Sequence, residues 1–461
     1  MISALASFRI LFAAWARLAI QSCISYLSLQ LSETVKPSIT FLYQLSRADS
    51  NPLVKDRYLF LLAYRQLWKK NSRYSQLFNR FSSTLGYTNN PLSIIYESVS
   101  TSESRDFFFG YFHQNFGHLS LIDVYAKAKK LGFDDKRYVF LRSPSGTSND
   151  SYLDLISNCY DIPCIFLDSH SFTYLNSKYL RSNQLADPFC FQFSAFGQLG
   201  LYEGWNLVLD QWSQQDMPSL IDIPQELIRE TQEELTIYGV DVAKPFVTLH
   251  TRHTPRGPAD RRGADTSIVS YEPALRYLIE SGYNVIRIGN PEPHMLEIQG
   301  FYDLGRVTHD PFIDIYLLAK AKFMIGCGSG PLSVPPTFNV PVLYVNAPCM
   351  GHMPRFSRSR FIPQNIYSSA TNKKLTYVEV LRSPLAFTTA PSIAGLSRIP
   401  SSSEDILDAV IEFNQMVCSH NFPILGLHGL QMSLLKEALP SDTAGMLISS
   451  SFYYNNPWYL N

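Results

Sequence analysis

Short apolar runs alternate with amphipathic segments over much of the chain, and the alternation is clearest in residues 246–346. The pattern there predicts strands at 246–250, 284–288, 323–326 and 342–345, and helices at 271–280, 312–320 and 332–338. In the first of these helices, Ala274, Leu275, Leu278 and Ile279 share one face, as expected for a helix that packs on a sheet. Strands that alternate with helices in this way predict a parallel sheet covered on both faces.

A similar rhythm begins earlier, at the apolar residues 107–109. The loop 116–118 follows, then a periodic helix at 119–131 that ends at Gly132. Short strands are predicted at 138–141 and 162–167. A strand, a glycine-containing loop, a helix and a further strand make one βαβ unit.

A chain of 461 residues is too long for one ordinary core, so more than one domain is expected. We predict a helical N-terminal segment over residues 1–100 and a first α/β domain over 101–240, whose last part, 200–240, is interpreted as a connector. A second α/β domain is predicted over 241–400. Residues 401–461 form a C-terminal helix and tail, with the helix at 404–416 capped by Ser401 or Ser402.

Composition narrows the class of protein. Hydrophobic residues are 46% and charged residues 17% of the chain, which is typical of a globular protein. Lys and Arg number 39 and Asp and Glu also 39, so the basic excess expected of a nucleic-acid-binding protein is absent. The seven cysteines lack metal-binding spacing, and their odd number favours reduced thiols in a cytosolic protein.

Residues 10–31 are largely apolar but include Arg17 and Gln21. A membrane-spanning helix needs about 20 nearly uncharged residues, and the apolar stretch before Arg17 is too short for a signal peptide. An amphipathic helix is therefore predicted, either packed on its own domain or lying on a membrane surface. The predicted location is cytoplasmic, with peripheral contact to the inner face of the plasma membrane through residues 1–30 as an open alternative.

Two polar loops follow predicted strands of the second domain. His250 and Arg252 flank Thr251 and should point to the same side of an extended chain. Gly328, Ser329, Gly330 and Pro331 follow another strand and open a helix. A guanidinium, a hydroxyl and free amides at a helix start suit a diphosphate, so these residues are candidate nucleotide contacts. The alternative is a structural ion pair at a strand end.

Titratable side chains supply further candidates. Asp310 and Asp314 flank the start of an apolar helix, where an acid needs a partner, either a ribose or base edge or a nearby cation. His118 is the preferred general base because an ordinary imidazole titrates near neutrality. His253 and Asp265, in the Arg- and Asp-rich loop 254–265, are rivals. The alternatives are a capping or core histidine and a solvated loop.

These motifs resemble a bacterial family of GT-B glycosyltransferases from surface-polysaccharide gene clusters. The similarity spans roughly residues 105–460 and rests on these segments: 116–119 (Phe-Gly-His-Leu), 250–252 (His-Thr-Arg), 270–278 (Ser-Tyr-Glu-Pro-Ala-Leu-Arg-Tyr-Leu), 282–290 (Gly-Tyr-Asn-Val-Ile-Arg-Ile-Gly-Asn), 328–331 (Gly-Ser-Gly-Pro), 340–346 (Val-Pro-Val-Leu-Tyr-Val-Asn) and 449–460. Residues 312–329 are also similar to the donor half of GDP-fucose-dependent α1,6-fucosyltransferases.

The resemblance implies roles for particular residues. Arg252 and Ser329 would contact the β-phosphate of a nucleotide sugar, and His250 and Asp314 the nucleoside. Gly289, Asn290, Asp310, Gly328, Gly330 and Pro331 would complete the donor site. The family usually has Asp directly after the motif arginine, where this chain has His253. If that Asp is needed for catalysis or for the structure of the loop, either this chain lacks the activity or Asp260 or Asp265 substitutes for it.

The implied fold is α/β and GT-B-like, with two Rossmann-like domains whose parallel sheets face a central cleft. The implied activity is sugar transfer from a nucleotide-diphospho-sugar, with a GDP-linked sugar as one candidate, to a glycan or lipid-linked acceptor in lipopolysaccharide, O-antigen or capsule synthesis. No cofactor and no metal are expected, since no Asp-x-Asp cluster is present. The alternatives are a nucleotide-sugar epimerase of the same fold and a non-catalytic nucleotide-sugar-binding protein at a membrane.

Overall fold

A computed structural model describes residues 106–142, 148–167, 172, 185–187, 190–252, 266–307, 309–348, 358–387, 390–438 and 446–460. The predictions for residues 1–100, including the amphipathic helix, lie outside these ranges. Sixteen strands are described: β1 (Asp106–Phe109), β2 (Arg137–Arg142), β3 (Cys164–Phe166), β4 (Cys190–Phe193), β5 (Gly197–Gly200), β6 (Phe246–His250), β7 (Asn284–Ile288), β8 (Phe301–Asp303), β9 (Met324–Gly326), β10 (Val342–Ala347), β11 (Ser359–Pro363), β12 (Asn365–Ser368), β13 (Lys373–Lys374), β14 (Ser392–Ile393), β15 (Leu396–Ile399) and β16 (Leu447–Ile448).

Ten α-helices accompany these strands in the described ranges. They are α1 (Phe116–Lys130), α2 (Asp150–Cys159), α3 (Leu201–Gln214), α4 (Gln225–Ile237), α5 (Glu272–Glu280), α6 (Pro311–Lys320), α7 (Tyr377–Arg382), α8 (Ser403–Ser419), α9 (Gly426–Ala438) and α10 (Ser450–Asn455). Not one of them is both long enough and apolar enough to span a bilayer.

The larger sheet is parallel throughout and runs in the order β16-β11-β10-β9-β6-β7-β8. Its central strands are apolar and buried, as expected for a parallel sheet covered on both faces. From β6 the chain moves outward to β7 and β8, then returns to the other side of β6 as β9. The sheet order therefore reverses between β6 and β9, which is the doubly wound, Rossmann-like arrangement.

The smaller sheet follows the same logic. Its strands β1, β2 and β3 are parallel, and Leu185 forms a parallel bridge with Phe108 on the free side of β1. Here too the order reverses at the first strand. The aromatic side chains of Phe107 and Phe109 pack with Tyr125 of α1 beneath the sheet. The structure thus confirms the predicted α/β class with two parallel, Rossmann-like sheets.

The remaining strands are antiparallel. β13, β12, β15 and β14 form a sheet in that order beside β11, and β4 pairs with β5 as a hairpin. Neither was predicted. Hairpins of two to four residues per strand leave too short an alternating pattern to separate from loops.

The predicted elements agree with the structure where the apolar pattern is long. The strands predicted at 246–250 and 284–288 have those bounds, and Ser402, whose hydroxyl accepts from the Asp405 amide at 3.0 Å, is the cap of α8. The connector interpretation of 200–240 misses α3, which buries Trp205 and Trp212. The single helix predicted at 332–338 is instead two 3-10 helices, Gly330–Ser333 and Pro335–Phe338, because two successive prolines remove amide donors. The domain boundaries stay a prediction.

The two parallel sheets share one buried apolar core and meet through hydrogen bonds across α2. The Asn149 side-chain amide donates to the Pro311 carbonyl at 3.0 Å, and the Tyr152 hydroxyl lies 3.3 Å from Thr337 Oγ1. The Ser219 hydroxyl donates to the Thr337 carbonyl at 2.8 Å. Helix α2, between two strands of the smaller sheet, is therefore hydrogen-bonded to α6 and to the 3-10 helix Pro335–Phe338, which flank β9 of the larger sheet.

We expect Asn149→Ala to cost more than an ordinary helix cap. Asn149 Oδ1 accepts from the Tyr152 amide at 2.8 Å, so the variant loses that cap together with the bond to Pro311. The expected loss in the free energy of unfolding is about 2–3 kcal/mol by denaturant titration. The control Ser402→Ala removes a cap and an exposed bond to the Asp405 carboxylate, neither of which joins the two sheets, and should cost about 1 kcal/mol. Equal losses in the two variants would contradict a contribution from the bond between the sheets.

Candidate functional site

The reversal point of the larger sheet lies between β6 and β9, and the loops that leave these two strands meet there. Ligands of open α/β sheets bind outside the carboxyl ends of the strands at such a point. The loop after β6 carries Arg252, and the loop after β9 carries Gly328 and Ser329. The Arg252 guanidinium donates through Nη1 to the Gly328 carbonyl at 3.0 Å, which joins the two loops across the reversal point.

His250 is the last residue of β6 and lies on the same side as Arg252. Its side chain is 5% exposed, and its Nδ1 lies 3.8 Å from Cys327 Sγ. The other edge of the ring faces Gly289, where a Cβ would lie 3.1 Å from Cδ2 and Nε2. Gly289 has φ +106°, so a glycine is favoured there by both backbone and space. The structure therefore brings together His250, Arg252, Gly289 and Gly328.

The turn of residues 328–331 is built by close packing. A Cβ on Gly328 would lie 2.9 Å from both Tyr344 Oη and Pro348 Cγ. Ser329 is extended, with φ −151° and ψ 161°, and Pro331 is in the first turn of the 3-10 helix Gly330–Ser333. A backbone so tightly held presents its amides in a fixed arrangement, as anion binding requires.

The same turn touches the smaller sheet. A Cβ on Gly330 would lie 2.9 Å from the Gly117 amide nitrogen, and one on Gly117 would lie 3.2 Å from Gly330 Cα. Gly117 is in the first turn of α1, next to His118. The Ser333 hydroxyl reinforces the contact through the Gly330 carbonyl at 2.8 Å and the Gly117 carbonyl at 3.4 Å. The first turn of α1, which follows β1, and the turn of residues 328–331, which follows β9, are therefore in direct backbone contact.

Burial holds both histidines of the site in the neutral form. Desolvation lowers the pKa of His118 to about 4. Desolvation, reinforced by the positive charges of Arg287 and Arg252, lowers the pKa of His250 to about 3. At neutral pH neither ring carries a charge, so among the described residues named here the positive charge beside the turn of residues 328–331 is that of Arg252.

The two candidate acids of α6 have other partners in this structure. Asp310 caps the helix, with Oδ1 accepting from the Phe312 amide at 2.7 Å. Asp314 Oδ1 lies 2.9 Å from His309 Nε2, and the hydrogen bond to Asp314 raises the pKa of His309. The side-chain partner of Asp314 in the structure is therefore a histidine, whereas the sequence suggested either a ribose or base edge or a nearby Lys or Arg.

Sequence reasoning missed a charged group behind the crevice. Arg287, within β7, is 0% exposed and bonds to Thr251, Asp303 and the Asn290 carbonyl. An arginine inside an otherwise apolar buried strand was the available signal, because a buried cation needs partners close by.

The remaining candidates lie outside the described residues. His253, Asp260 and Asp265 are in residues 253–265, between the described ranges that end at 252 and begin at 266. Within the part of the chain that is described, no three His, Cys, Asp or Glu side chains converge as metal ligands would. The five cysteines described, Cys159, Cys164, Cys190, Cys327 and Cys418, are free thiols.

No protein-family model matches the sequence, and no curated protein matches it significantly. Several solved structures are similar to the structure of this chain. A glycosyltransferase family 9 protein from Veillonella parvula shares 12% identity, with 57% of this chain and 86% of that chain covered and a TM-score of 0.36. ADP-heptose lipopolysaccharide heptosyltransferase II from E. coli shares 14%, with 56% and 90% covered and a TM-score of 0.37.

The E. coli heptosyltransferase WaaC, solved with ADP-2-deoxy-2-fluoro heptose, shares 10% identity, with 58% of this chain and 94% of that chain covered and a TM-score of 0.34. At these scores the likeness does not identify a substrate or a catalytic residue. The similarity to GDP-fucose-dependent fucosyltransferases stays a prediction.

We expect Gly330→Ala to separate the two loops at their contact. The added methyl group would meet the Gly117 amide nitrogen at 2.9 Å, and because the atom it meets belongs to the backbone, relief requires a backbone shift. The free energy of unfolding should fall by about 1–3 kcal/mol, the usual cost of overpacking. Gly429→Ala is the matched control, since a Cβ there meets nothing within 4 Å on helix α9; it should stabilise by about 0.5–1 kcal/mol. A neutral Gly330→Ala variant would refute the close contact.

The neutral histidines predict loss of stability in acid. A histidine whose pKa in the folded protein is below its unfolded value near 6.5 contributes its full stabilisation above about pH 6.5. That stability is lost as pH falls toward about 4 for His118 and about 3 for His250. His250→Asn should flatten the decline of unfolding free energy between pH 6.5 and 4, measured by urea titration. His420→Asn, at an exposed helix end, should leave the slope as in the wild type, and a shared slope for all three proteins would contradict the burial of His250.

Proposed function

We propose that this protein is a glycosyltransferase that takes its sugar from a nucleotide-diphospho-sugar. The observation that carries the proposal is the reversal point of the larger sheet, where Arg252 and the turn of residues 328–331 meet. A doubly wound sheet offers that point to a nucleotide, the guanidinium matches a phosphate in shape and charge, and the turn supplies amides.

In the proposed reaction, the bond between the sugar's anomeric carbon and the diphosphate breaks, and its electron pair leaves with the nucleoside diphosphate. A bond forms between the anomeric carbon and an acceptor hydroxyl, whose proton passes to a base. Negative charge therefore grows on the leaving diphosphate. Arg252, with the Ser329 hydroxyl and the amides beside it, is placed to stabilise that charge in the transition state.

Three side chains are candidates for the base that takes the proton of the acceptor hydroxyl. His118 is at the start of α1, beside the contact between Gly117 and Gly330, so it is close to the proposed donor turn. Its pKa of about 4 makes it a weaker base than an ordinary histidine, because general bases work best near the operating pH. His253 and Asp265 stay candidates for the same role.

Two parallel sheets with their reversal points in contact are the layout of a GT-B enzyme, with the donor on the larger sheet and the acceptor on the smaller one. We infer a glycan or lipid-linked acceptor and a role in surface-polysaccharide synthesis, without a metal, at the cytoplasmic side of a membrane. These finer assignments rest on the motif resemblance. The layout and the composition of the crevice support the general activity.

A nucleotide panel tests the donor site. The panel consists of GDP, UDP, ADP, dTDP and CMP. A nucleotide that binds should, at about 100 times its dissociation constant, raise the free energy of unfolding by about 2.7 kcal/mol, which is seen as a shift in thermal unfolding. We expect a selective shift with one diphosphate that is lost in Arg252→Ala. Arg276→Ala is the control, since this exposed arginine pairs only with Glu272 on α5 among the contacts described. A shift that survives Arg252→Ala would refute the proposed diphosphate contact.

Turnover then separates the alternatives. Product that forms only when an acceptor glycan is added identifies a transferase. Product that forms from the nucleotide sugar alone identifies an epimerase. Nucleotide binding without either product favours the non-catalytic binding protein.

A further inference from the structure

A buried arginine, Arg287, bonds to residues at the carboxyl ends of three strands, β6, β7 and β8. Arg287 Nε donates to Thr251 Oγ1 at 2.8 Å, and Nη1 donates to Asp303 Oδ1 at 2.6 Å. Nη2 donates to the Asn290 carbonyl and lies 3.5 Å from Glu292 Oε1. Since Thr251 follows β6, Asn290 follows β7 and Asp303 ends β8, a single guanidinium fixes three successive strand ends.

Thr251 is the link between this arginine and the crevice. It separates His250 from Arg252, and its side chain points to the opposite side, into the sheet edge. Its hydroxyl accepts from Arg287 and donates to Glu292 Oε1 at 2.6 Å, so it is bonded on both sides and is 0% exposed. The side chain of the residue between the two candidate donor contacts is therefore held by two hydrogen bonds.

Arg287 also supports the glycine turn that packs on His250. The Asn290 carbonyl that Arg287 holds is next to Gly289, whose backbone lies against the His250 ring. A Cβ on Gly305 would lie 2.5 Å from both Arg287 Nη1 and the Gly289 carbonyl, so glycine is required there for the guanidinium to fit.

The charges of this group balance. Arg287 and Arg306 face Asp303 and Glu292; Arg306 Nε donates to Asp303 Oδ2 at 3.1 Å, on the outer side of the group. A buried ion pair stabilises a fold less than apolar residues of equal volume would, and its best attested use is to fix one arrangement of the chain. The other described positions of β7 after Asn284 are Val285, Ile286 and Ile288, so an apolar residue would suit position 287 on packing grounds.

We propose that Arg287 is a positioning residue for the donor site, acting through Thr251 to hold Arg252 and through the Asn290 carbonyl to hold the Gly289 turn against His250. The inference rests on the proposed function, because it concerns the binding of the same nucleoside diphosphate. It assigns Arg287 no contact with substrate. Its effect is to remove freedom from the groups that make those contacts, which improves binding without new contacts.

The matched pair Thr251→Val and Thr251→Ser tests this. Valine keeps the shape of threonine but removes the hydroxyl, whereas serine keeps the hydroxyl and removes a methyl group. Calorimetric titration uses whichever of GDP, UDP, ADP, dTDP or CMP stabilises the wild type. We expect Thr251→Val to raise the dissociation constant at least about tenfold, since small misplacements of binding groups are costly, and Thr251→Ser to stay close to the wild type.

Arg306→Ala separates positioning from general loss of stability. Arg306 belongs to the same charged group and also donates to the His294 carbonyl at 3.0 Å, but the bonds described for it do not include Thr251. We expect it to lower the midpoint of thermal unfolding and to leave the dissociation constant unchanged. An unchanged dissociation constant in Thr251→Val, or an equal weakening in Arg306→Ala, would overturn the inference.

Two further outcomes are decisive. If Thr251→Val does not fold, Arg287→Lys takes its place, because a lysine cannot bridge three loops; wild-type affinity in that variant would overturn the inference. If the wild type binds none of the five nucleotides, the proposed function fails and the inference fails with it. Binding in the wild type that is unaltered in Thr251→Val overturns the inference alone.

Discussion

The contact between Gly117 and Gly330 fixes how the two sheets meet. A Cβ on Gly330 would lie 2.9 Å from the Gly117 amide nitrogen, and a Cβ on Gly117 would lie 3.2 Å from Gly330 Cα. Because Gly117 follows β1 and Gly330 follows β9, the contact brings the reversal points of both sheets together. The buried core that continues from one sheet into the other, and the bonds of Asn149 and Tyr152 across it, keep that arrangement rigid. A reaction between ligands of the two sheets needs this constraint, since reacting atoms must be held within about 3–3.5 Å.

Electrostatics at the crevice follows from burial. Burial lowers the pKa values of His250 and His118, so both rings are neutral at physiological pH. Arg287 is paired with Asp303 and Glu292, whereas Arg252 lies beside the turn of residues 328–331. A guanidinium presents its donors in a planar fork that matches a phosphate. The buried charges behind these strand ends therefore come in pairs of opposite sign.

The strands of the larger sheet and the loops that directly follow them are the features that the local sequence pattern predicted. The parallel strands of the larger sheet were predictable because each is a buried apolar run between turn residues, and residues 246–250 show this without a shift in bounds. His250 and Arg252 were predictable as neighbours in space because alternation along a strand end is a local property. The Gly328 turn was found for the same reason, since its loop directly follows an apolar strand.

What could not be predicted depends on contacts distant in sequence. Arg287 meets Thr251 and Asp303 only once three strands are aligned, and no spacing along the chain reveals that register. Helix α3 was taken for a connector because its apolar residues are mixed with polar ones, and its burial becomes clear only when Trp212 packs against the rest of the chain. The fold class is thus readable from local pattern, whereas the bonds that hold the site in place belong to tertiary structure.

The pair His309 and Asp314 constrains the remaining part of the proposed donor site. His309 Nδ1 lies 3.1 Å from the Val307 carbonyl and Nε2 lies 2.9 Å from Asp314 Oδ1. Both oxygens can accept a hydrogen bond from the ring, and the bond to Asp314 raises the pKa of His309. A contact between Asp314 and a nucleoside, which stays a prediction, would therefore involve a carboxyl group already hydrogen-bonded to a histidine. The other acceptor positions of a carboxyl group suit a hydrogen-bond donor, such as a ribose hydroxyl or the amino group of a base, so recognition of the diphosphate would fall to Arg252.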